Sequence, residues 1–344
     1  MNSPFFSFDL KERLRSTSFM LKGLKAYDPR HHRTRLPGPL VVQIQTIDRC
    51  NAACIMCPYS TTTKSGGPPR RIDDELYARI LEDMRGVHST RSLQIMLQNE
   101  PLLDRQLAQR VRQAKIALGK AARVSIVTNG ALLTSRRMDE LLASGIDHIS
   151  VSIDAYREET YRAIRKGLDF SQIRQNVQTV AQITKGKVTV RFLKQRTNEG
   201  EEEDFARFWK SHGANVHFHI TTNRAGTLDE FERIRSKSST LLHAFINGIL
   251  NRLCPTCLLP FSWLGVLCDG RVILCCHDWG PRDVVGDLTK QSLAEVWNGE
   301  AVNYYRHLLW SRRTSKSLIC KDCSFAEGFW NTEAGFRSIG FAKI

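Results

Sequence analysis

Short apolar segments alternate with amphipathic segments along residues 40–220. Residues 40–47 are rich in β-branched side chains and predict a strand, and residues 73–85 predict a helix that starts at an aspartate. Repetition of this pattern predicts six strands, at 40–47, 92–97, 123–127, 148–153, 187–192 and 215–220. The intervening helices are predicted at 73–85, 103–118, 135–143, 158–164, 171–183 and 201–212. Strands joined by helices indicate parallel pairing through helical crossovers.

The number of strand–helix units predicts an α/β fold. Six units favour a partial barrel over a complete eight-unit barrel. An open doubly wound sheet is the alternative, because hydrophobic periodicity does not distinguish the two topologies. In both, ligands bind at the carboxyl ends of the strands, so we expect the functional residues in the loops that follow them.

The ten cysteines form two groups separated by a long stretch without any. Cys50, Cys54 and Cys57 form a C-x3-C-x2-C pattern directly after the first predicted strand. Three thiolates in one loop suit a [4Fe–4S] cluster, whose fourth iron then stays open for a substrate or cofactor. A zinc site with a fourth ligand from elsewhere is the alternative.

This cysteine loop resembles the hallmark of the radical S-adenosylmethionine (SAM) superfamily. The resemblance covers residues 40–226 and implies a partial (β/α)6 TIM-like barrel. It also implies that Cys50, Cys54 and Cys57 hold a [4Fe–4S] cluster that binds SAM. In this family SAM is cleaved reductively to a 5′-deoxyadenosyl radical, which abstracts a hydrogen atom from the substrate.

Other loops resemble the SAM contacts of the same family. Gln98-Asn99-Glu100-Pro101 stands where the family has Gly-Gly-Glu-Pro, so both glycines, which permit close backbone approach, are replaced. Thr128-Asn129-Gly130 resembles the family's turn after strand three. Taken singly, these are also an ordinary turn or helix cap. The SAM-binding residues that the resemblance implies are Gln98, Asn99, Glu100, Pro101, Thr128, Asn129, Ser150, Ser152, Asp154 and Arg191.

The second cysteine group surrounds a predicted hairpin. Asp269-Gly270 lies between two apolar segments and is a strong hairpin signal. Cys275-Cys276 follows the return strand, and Cys320 and Cys323 form a final C-x2-C pair. A zinc ribbon built from the pairs Cys254/Cys257 and Cys320/Cys323 is one interpretation of these spacings.

The hairpin and its cysteines also resemble the SPASM and twitch domains of radical SAM enzymes. The resemblance implies one auxiliary [4Fe–4S] cluster with the ligands Cys257, Cys275, Cys320 and Cys323. Cys276 is an alternative to Cys275, because neighbouring residues on a strand point to opposite faces. If it does not bind the cluster, Cys276 is a candidate hydrogen-atom donor. Cys254 is the corresponding alternative to Cys257.

The predicted organisation is an N-terminal extension at 1–39, a barrel at 40–226, a helical linker at 227–253 and a cysteine-rich domain at 254–344. No apolar run reaches the roughly 18–20 residues of a membrane helix, and the N-terminus lacks the pattern of a secretory signal. We therefore expect a cytoplasmic protein with no membrane partner. The net charge of +15 is compatible with an anionic substrate, while no motif for nucleic-acid binding accompanies it.

The resemblance implies a radical SAM oxidoreductase or epimerase. Its compact auxiliary-cluster members act on aminocyclitols and sugars in natural-product biosynthesis, and residues 1–39 are too few for the peptide-recognition domain of peptide-modifying members. We predict hydrogen abstraction from a small carbohydrate-like or aminocyclitol substrate, with a low-potential donor such as flavodoxin or ferredoxin. The alternatives are a maturase for a ribosomally made peptide and a zinc-stabilised nucleic-acid-binding protein.

Overall fold

A computed structural model of the protein describes residues 36–62, 67–184, 186–236, 257, 259–311 and 313–324. The strands are β1 (Val41–Ile44), β2 (Ala53–Cys54), β3 (Ser92–Gln94), β4 (Arg123–Thr128), β5 (His148–Ser152), β6 (Arg165–Lys166), β7 (Val188–Lys194), β8 (Asn215–Ile220), β9 (Trp263–Val266), β10 (Arg271–Ile273) and β11 (Gly286–Asp287). The helices are α1 (Tyr59–Thr62), α2 (Asp74–Val87), α3 (Leu107–Leu118), α4 (Ser135–Ala143), α5 (Glu158–Ile164), α6 (Phe170–Thr184), α7 (Glu202–Ser211), α8 (Phe231–Ile234), α9 (Leu259–Ser262), α10 (Leu293–Trp297) and α11 (Glu300–Trp310).

One sheet contains nine of these strands, in the order β11-β10-β9-β1-β3-β4-β5-β7-β8. The six predicted barrel strands lie side by side in chain order, and each neighbouring pair is parallel. A doubly wound sheet reverses its strand order at a switch point, whereas this order continues in one direction. The predicted partial barrel is therefore confirmed.

The predicted helices are present, and the largest difference lies at the start of α3. A helix was expected from residue 103, but α3 begins at Leu107. Pro101–Leu103 instead forms a 3-10 turn, and the Glu100 side chain caps it by accepting from the Leu102 amide. A proline suits the first position of a helical turn, so the turn starts there and ends before Asp104.

The C-terminal hairpin extends the barrel sheet, a connection that the sequence pattern did not predict. β9 and β10 pair antiparallel across Asp269-Gly270, as expected, and β9 also pairs parallel with β1. Gly270 has a φ of 89°, and a Cβ there would lie 2.7 Å from Cγ2 of Thr289. Glycine is therefore required at this turn for both conformation and space.

Alternate residues of the barrel strands face different surroundings. Apolar side chains such as Val42, Leu93, Val124 and Ile149 are fully buried, whereas the next residues along these strands, Gln43, Gln94, Ser125 and Ser150, line the barrel interior. The strands thus combine an apolar outer face with a polar inner face.

Some predictions fall on residues that the structure does not describe. The predicted extension at 1–39 is described only from Leu36, and the predicted linker at 227–253 only to Ser236. Cys254 also lies outside the described residues. Within the described ranges, no helix combines the length and apolar character needed to cross a membrane.

Candidate active site

A cavity of about 300 Å³ occupies the barrel interior. It extends from the cysteine loop after β1 to the amino-terminal ends of β3, β4 and β5, and the loop after β10 also contributes to its wall. The predicted site residues that line it are Cys50, Cys54, Cys57, Gln98, Asn99, Glu100, Thr128, Asn129, Ser150, Ser152, Asp154, Arg191 and Cys276. Pro101 is absent from this lining and starts the buried 3-10 turn.

The cysteine loop is attached to the barrel by a short antiparallel ribbon. Its strand β2 pairs with β6, so that Ala53 is opposite Lys166 and Cys54 is opposite Arg165. Burial raises the pKa of Cys50 to about 12 and that of Cys57 to about 11. Bound metal stabilises thiolates, and a buried set of three thiols therefore has the chemistry that a cluster requires.

Arg165 is a site residue that the sequence motifs did not single out. Its Nη1 lies 3.7 Å from the Sγ of Cys54, and its Nε donates to the Asp154 carboxylate at 2.9 Å. Burial raises the pKa of Cys54, and the charge of Arg165 opposes this effect. The residue simply follows a predicted helix, so the sequence provided no signal for its position beside the cluster loop.

The side chain of Asp154 is buried and hydrogen-bonded to other residues of the protein. It is 1% exposed, and its Oδ1 accepts a hydrogen bond of 2.7 Å from the Leu193 amide. Its φ of 65° lies in the left-handed region, where an aspartate is tolerated better than most residues. Asp154 therefore positions Arg165 and the end of β7, rather than capping a helix.

Glu100 joins the two loops that were predicted to contact SAM. Its carboxylate accepts hydrogen bonds from the Leu102 amide at 3.0 Å, the Thr128 hydroxyl at 2.6 Å and the Asn129 amide at 2.7 Å. Burial raises its pKa, and these three donors act in the opposite direction. In contrast, Nδ2 of Asn99 is buried without a hydrogen-bond partner among the described residues.

Gln98 has the left-handed backbone conformation that glycine favours, although it stands where the resembling family has a glycine. Its φ is 56°, and its Nε2 donates to the carbonyls of Cys276 at 3.2 Å and Asp278 at 3.0 Å. The glutamine side chain thus links the loop after β3 to the loop after the C-terminal hairpin. This contact accounts for a side chain at a position where the resembling family has none.

A second, small cavity brings together the four cysteines of the predicted auxiliary site. Apolar side chains of Leu274, Leu309 and Ile319 form much of its wall, and Tyr305 contributes as well. Burial raises the pKa of Cys257 and Cys275 well above the ordinary value, and that of Cys320 to about 11. The four cysteines that line this cavity are Cys257, Cys275, Cys320 and Cys323.

Cys275 and Cys276 face different cavities. Cys275 lines the small cavity, whereas Cys276, in the turn that follows β10, lines the barrel cavity. Cys268 belongs to neither lining and is 4% exposed within the apolar core. Among the described residues, no three His, Cys, Asp or Glu side chains are arranged to hold a single metal ion.

Sequence reasoning singled out Arg191 but missed the other basic residues inside the barrel. Arg191 donates through Nε to Nε2 of His219 at 2.8 Å, and burial lowers its pKa to about 10. His217 and His219 are two residues apart on β8, so they point to the same face of the strand. This spacing was the sequence signal that could have identified them. The basic residues of the lining are Arg123, His148, Arg165, Arg191, His217, His219, Arg224 and His277.

Comparison with known proteins assigns the two cysteine groups to two domains. A model of the radical SAM superfamily matches residues 44–209, and a model of the iron-sulfur cluster-binding SPASM domain matches residues 257–324. The chain contains a radical SAM domain and a SPASM domain. The predicted family and its cofactor classes, SAM and iron–sulfur clusters, are thereby confirmed.

Two curated radical SAM relatives differ in how much of the chain they match. The S-adenosyl-L-methionine-dependent 2-deoxy-scyllo-inosamine dehydrogenase of Niallia circulans is 22% identical over 83% of this chain and 92% of its own length. The GTP 3′,8-cyclase of Limosilactobacillus fermentum is 29% identical over 56% of this chain, which spans 57% of that enzyme. This chain therefore spans little more than half of the cyclase but most of the dehydrogenase.

Solved structures share the fold at low sequence identity. BtrN in complex with AdoMet and 2-DOIA has a TM-score of 0.56 and 20% identity, covering 83% of this chain and 92% of that chain. SuiB of Streptococcus suis bound to the precursor peptide SuiA has a TM-score of 0.64 and 14% identity, covering 94% and 77%. A structure with a small-molecule ligand and one with a peptide ligand therefore share this fold.

Proposed function

We propose that this radical SAM protein abstracts a hydrogen atom from a small polyhydroxylated ring of the carbohydrate or aminocyclitol class. The product is an oxidised or epimerised carbinol carbon. The observation that carries this proposal is the single cavity of about 300 Å³ that joins the three-cysteine loop to the polar inner face of the barrel. Hydrogen-bonding side chains line this cavity, as a polyhydroxylated ligand requires.

The proposal assigns the cofactors to particular residues. Cys50, Cys54 and Cys57 bind the cluster that carries SAM, and the four cysteines of the small cavity bind one auxiliary [4Fe–4S] cluster. When bound, SAM and its cluster supply the hydrogen-abstracting radical, and the auxiliary cluster supplies an electron acceptor. A flavodoxin or ferredoxin as electron donor and a cytoplasmic location belong to the same proposal.

Some side chains of the cavity are assigned to direct contacts with SAM, and others hold the SAM-binding loops in place. Asn99 offers a buried Nδ2 donor, and the hydroxyls of Ser150 and Ser152 line the cavity, so we assign them to direct SAM contacts. Arg191 is assigned to a carboxylate by virtue of its guanidinium. The side chains that hold these loops in place are Gln98, Glu100, Thr128, Asn129 and Asp154.

The choice of a small ring over a peptide rests on sequence coverage and on the polar lining of the barrel. The dehydrogenase relative, whose name specifies an aminocyclitol, aligns over 83% of this chain. The peptide-bound SuiB structure is 14% identical and supports a common fold. Hydroxyl, amide and imidazole groups along the barrel interior provide the hydrogen bonds that a polyhydroxylated ring needs.

Cys276 favours epimerisation as a second candidate outcome. Its thiol faces the barrel cavity, and burial raises its pKa to about 11, so the hydrogen stays on sulfur at neutral pH. In epimerisation, the substrate radical takes this hydrogen atom, and the thiyl radical is reduced by the proposed electron donor with a proton from solvent. In oxidation, the substrate radical instead loses one electron and its hydroxyl proton to become a carbonyl.

Turnover of 2-deoxy-scyllo-inosamine in deuterated water tests the proposal. A product two hydrogens lighter indicates oxidation, whereas deuterium on a product carbon that disappears in Cys276→Ala indicates epimerisation. Replacing Cys50, Cys54 and Cys57 by alanine should abolish formation of 5′-deoxyadenosine, and Cys268→Ala serves as the matched control. Persistent SAM cleavage in the triple variant would refute the assignment of the cluster.

Metal analysis tests the cluster count independently. Anaerobically purified protein should contain about eight irons per chain with matching sulfide, the content of two cubane clusters. Stoichiometric zinc without sulfide would contradict the proposal and favour the zinc-stabilised alternative.

A further inference from the structure

The inner face of this barrel is polar where barrel interiors are ordinarily apolar. Branched apolar side chains usually fill the layers inside a complete (β/α)8 barrel. Here Gln43, Gln94, Ser125 and His148 occupy one level across four adjacent parallel strands, as their register shows. One level below, Ser92 is paired with Arg123. All six side chains line the cavity that also contains the cysteine loop.

This lower part of the cavity lies far from the cluster loop. Arg123 and Thr128 mark the two ends of β4, and both line the cavity. At about 3.3 Å per residue, the five steps between them span roughly 16 Å. A ligand that fills this length therefore presents one end to the cysteine loop and its other end to the amino-terminal ends of the strands.

His148 is the residue that points to a ligand at this end. It is 7% exposed, and neither ring nitrogen has a hydrogen-bond partner among the described residues. Leaving buried polar atoms unpaired costs on the order of 1–3 kcal/mol each, so the site favours a partner for them. Burial, together with the charges of Arg123 and Arg191, lowers the His148 pKa to about 3, and the ring is neutral.

The charges around the cavity favour an anionic partner. Two carboxylates, Glu100 and Asp154, line it among the described residues. Glu100 accepts hydrogen bonds from three donors, and Asp154 is paired with Arg165. Both lie near the SAM loops, whereas the lower level carries the positive charge of Arg123 and the amide of Gln94.

We infer that Arg123, His148 and Gln94 form an anchoring subsite for an oxyanion substituent, phosphoryl or carboxylate, on the end of the substrate remote from the reacting carbon. Arg123 supplies the charge and two parallel donors, the geometry that suits both oxyanions. A neutral His148 supplies one further N–H donor. This inference rests on the proposed function, because it takes the ligand of the lower level to be part of the substrate.

Three ligands with a common ring test the subsite: glucose 1-phosphate, glucuronate and glucose. Each is titrated calorimetrically into reconstituted, SAM-loaded protein. We expect at least one anionic ligand to bind tenfold or more tightly than glucose, and the one that does distinguishes a phosphoryl from a carboxylate site. Equal binding of all three, or binding of none, would overturn the inference.

Variants then test which residues cause the preference for anionic ligands over glucose. Arg123→Gln and His148→Phe should reduce it to threefold or less, whereas Arg123→Lys should keep most of it. Arg136→Gln removes the same charge from a side chain that is 89% exposed on α4 and should leave the preference unchanged. A preference that survives in Arg123→Gln would place the anion elsewhere and contradict the inference.

Two further measurements separate the possible failures. Melting temperatures within a few degrees of wild type show that a variant has folded, and SAM affinity should remain within twofold in Arg123→Gln. Formation of 5′-deoxyadenosine from SAM reports on the proposed function. If this radical chemistry is present while the anion preference is absent, only the subsite is wrong; if the chemistry is absent, the proposed function itself fails.

Discussion

The buried ion pair between Asp154 and Arg165 provides a quantitative test of how the cluster loop is held. Asp154→Asn keeps the size of the side chain and an oxygen for the Leu193 amide, so that mainly the charge is lost. Burial alone lowers the pKa of Arg165, but the charge of Asp154, with those of Cys54 and Tyr161, outweighs it and places the pKa above its ordinary value. Removing the charge of Asp154 therefore takes away the largest effect that opposes burial at Arg165.

The expected cost follows from the burial of both partners. Arg165 is 7% exposed and Asp154 1% exposed. Breaking a buried pair from one side costs about 3–5 kcal/mol, because an uncompensated charge stays in the interior. We expect losses of this size for Asp154→Asn and for Arg165→Met. The double variant should be less destabilised than the sum of both by about 1–3 kcal/mol.

Urea unfolding of the full-length protein, followed by tryptophan fluorescence, measures this double-mutant cycle. Asp204→Asn breaks an exposed pair with Arg207 and should cost below about 0.5 kcal/mol. Strictly additive losses, or a loss in Asp154→Asn no larger than in this control, would show that the ion pair does not hold the ribbon of β2 and β6.

Three further predictions concern other parts of the molecule. Gln98→Gly removes two hydrogen bonds, worth roughly 2 kcal/mol together, and should accelerate alkylation of Cys276, detected by mass spectrometry, by up to about 30-fold. The unfolded chain protonates His148 below pH 6.5, whereas the folded protein does so only near pH 3. The free energy of unfolding therefore falls as the pH decreases through this window. His148→Phe should reduce the slope of the unfolding free energy against pH, measured between pH 6.5 and 4, by roughly 1.4 kcal/mol per pH unit. Gly286→Ala places a Cβ 2.6 Å from both methyl groups of Val296 and should lower the free energy of unfolding by about 1–3 kcal/mol, with partial rescue by Val296→Ala.

Internal controls accompany these predictions. Labelling of Cys268 should not change in Gln98→Gly, because this thiol lies in neither cavity lining. Equal labelling of Cys276 in both proteins would argue against the link between the two loops. Among the described residues, no atom lies within 4 Å of a Cβ at Gly67, so Gly67→Ala is the matched control for Gly286→Ala. An unchanged pH profile in His148→Phe would mean that the imidazole is not buried as described.

The sequence by itself determined the family and the repeating units. Two local patterns carried this information: the spacing of Cys50, Cys54 and Cys57, and the alternation of strands and helices. Local patterns can be recognised without knowledge of the fold. Helices α4 and α5 coincide with their predicted bounds for this reason. The hairpin at Asp269-Gly270 was also predictable, since a two-residue turn depends on its own residues.

Tertiary structure decided what depends on contacts between distant segments. The pairing of β9 with β1, the position of Arg165 beside Cys54 and the link from Gln98 to the loop of Cys276 each join segments widely separated along the chain. The sequence left open which of Cys275 and Cys276 faces the small cavity, because both lie beyond the end of β10 and the contacts of the following turn decide their directions. The polar interior at His148 emerged in the same way: only the closure of six strands around it turned a scattered set of polar residues into one buried surface.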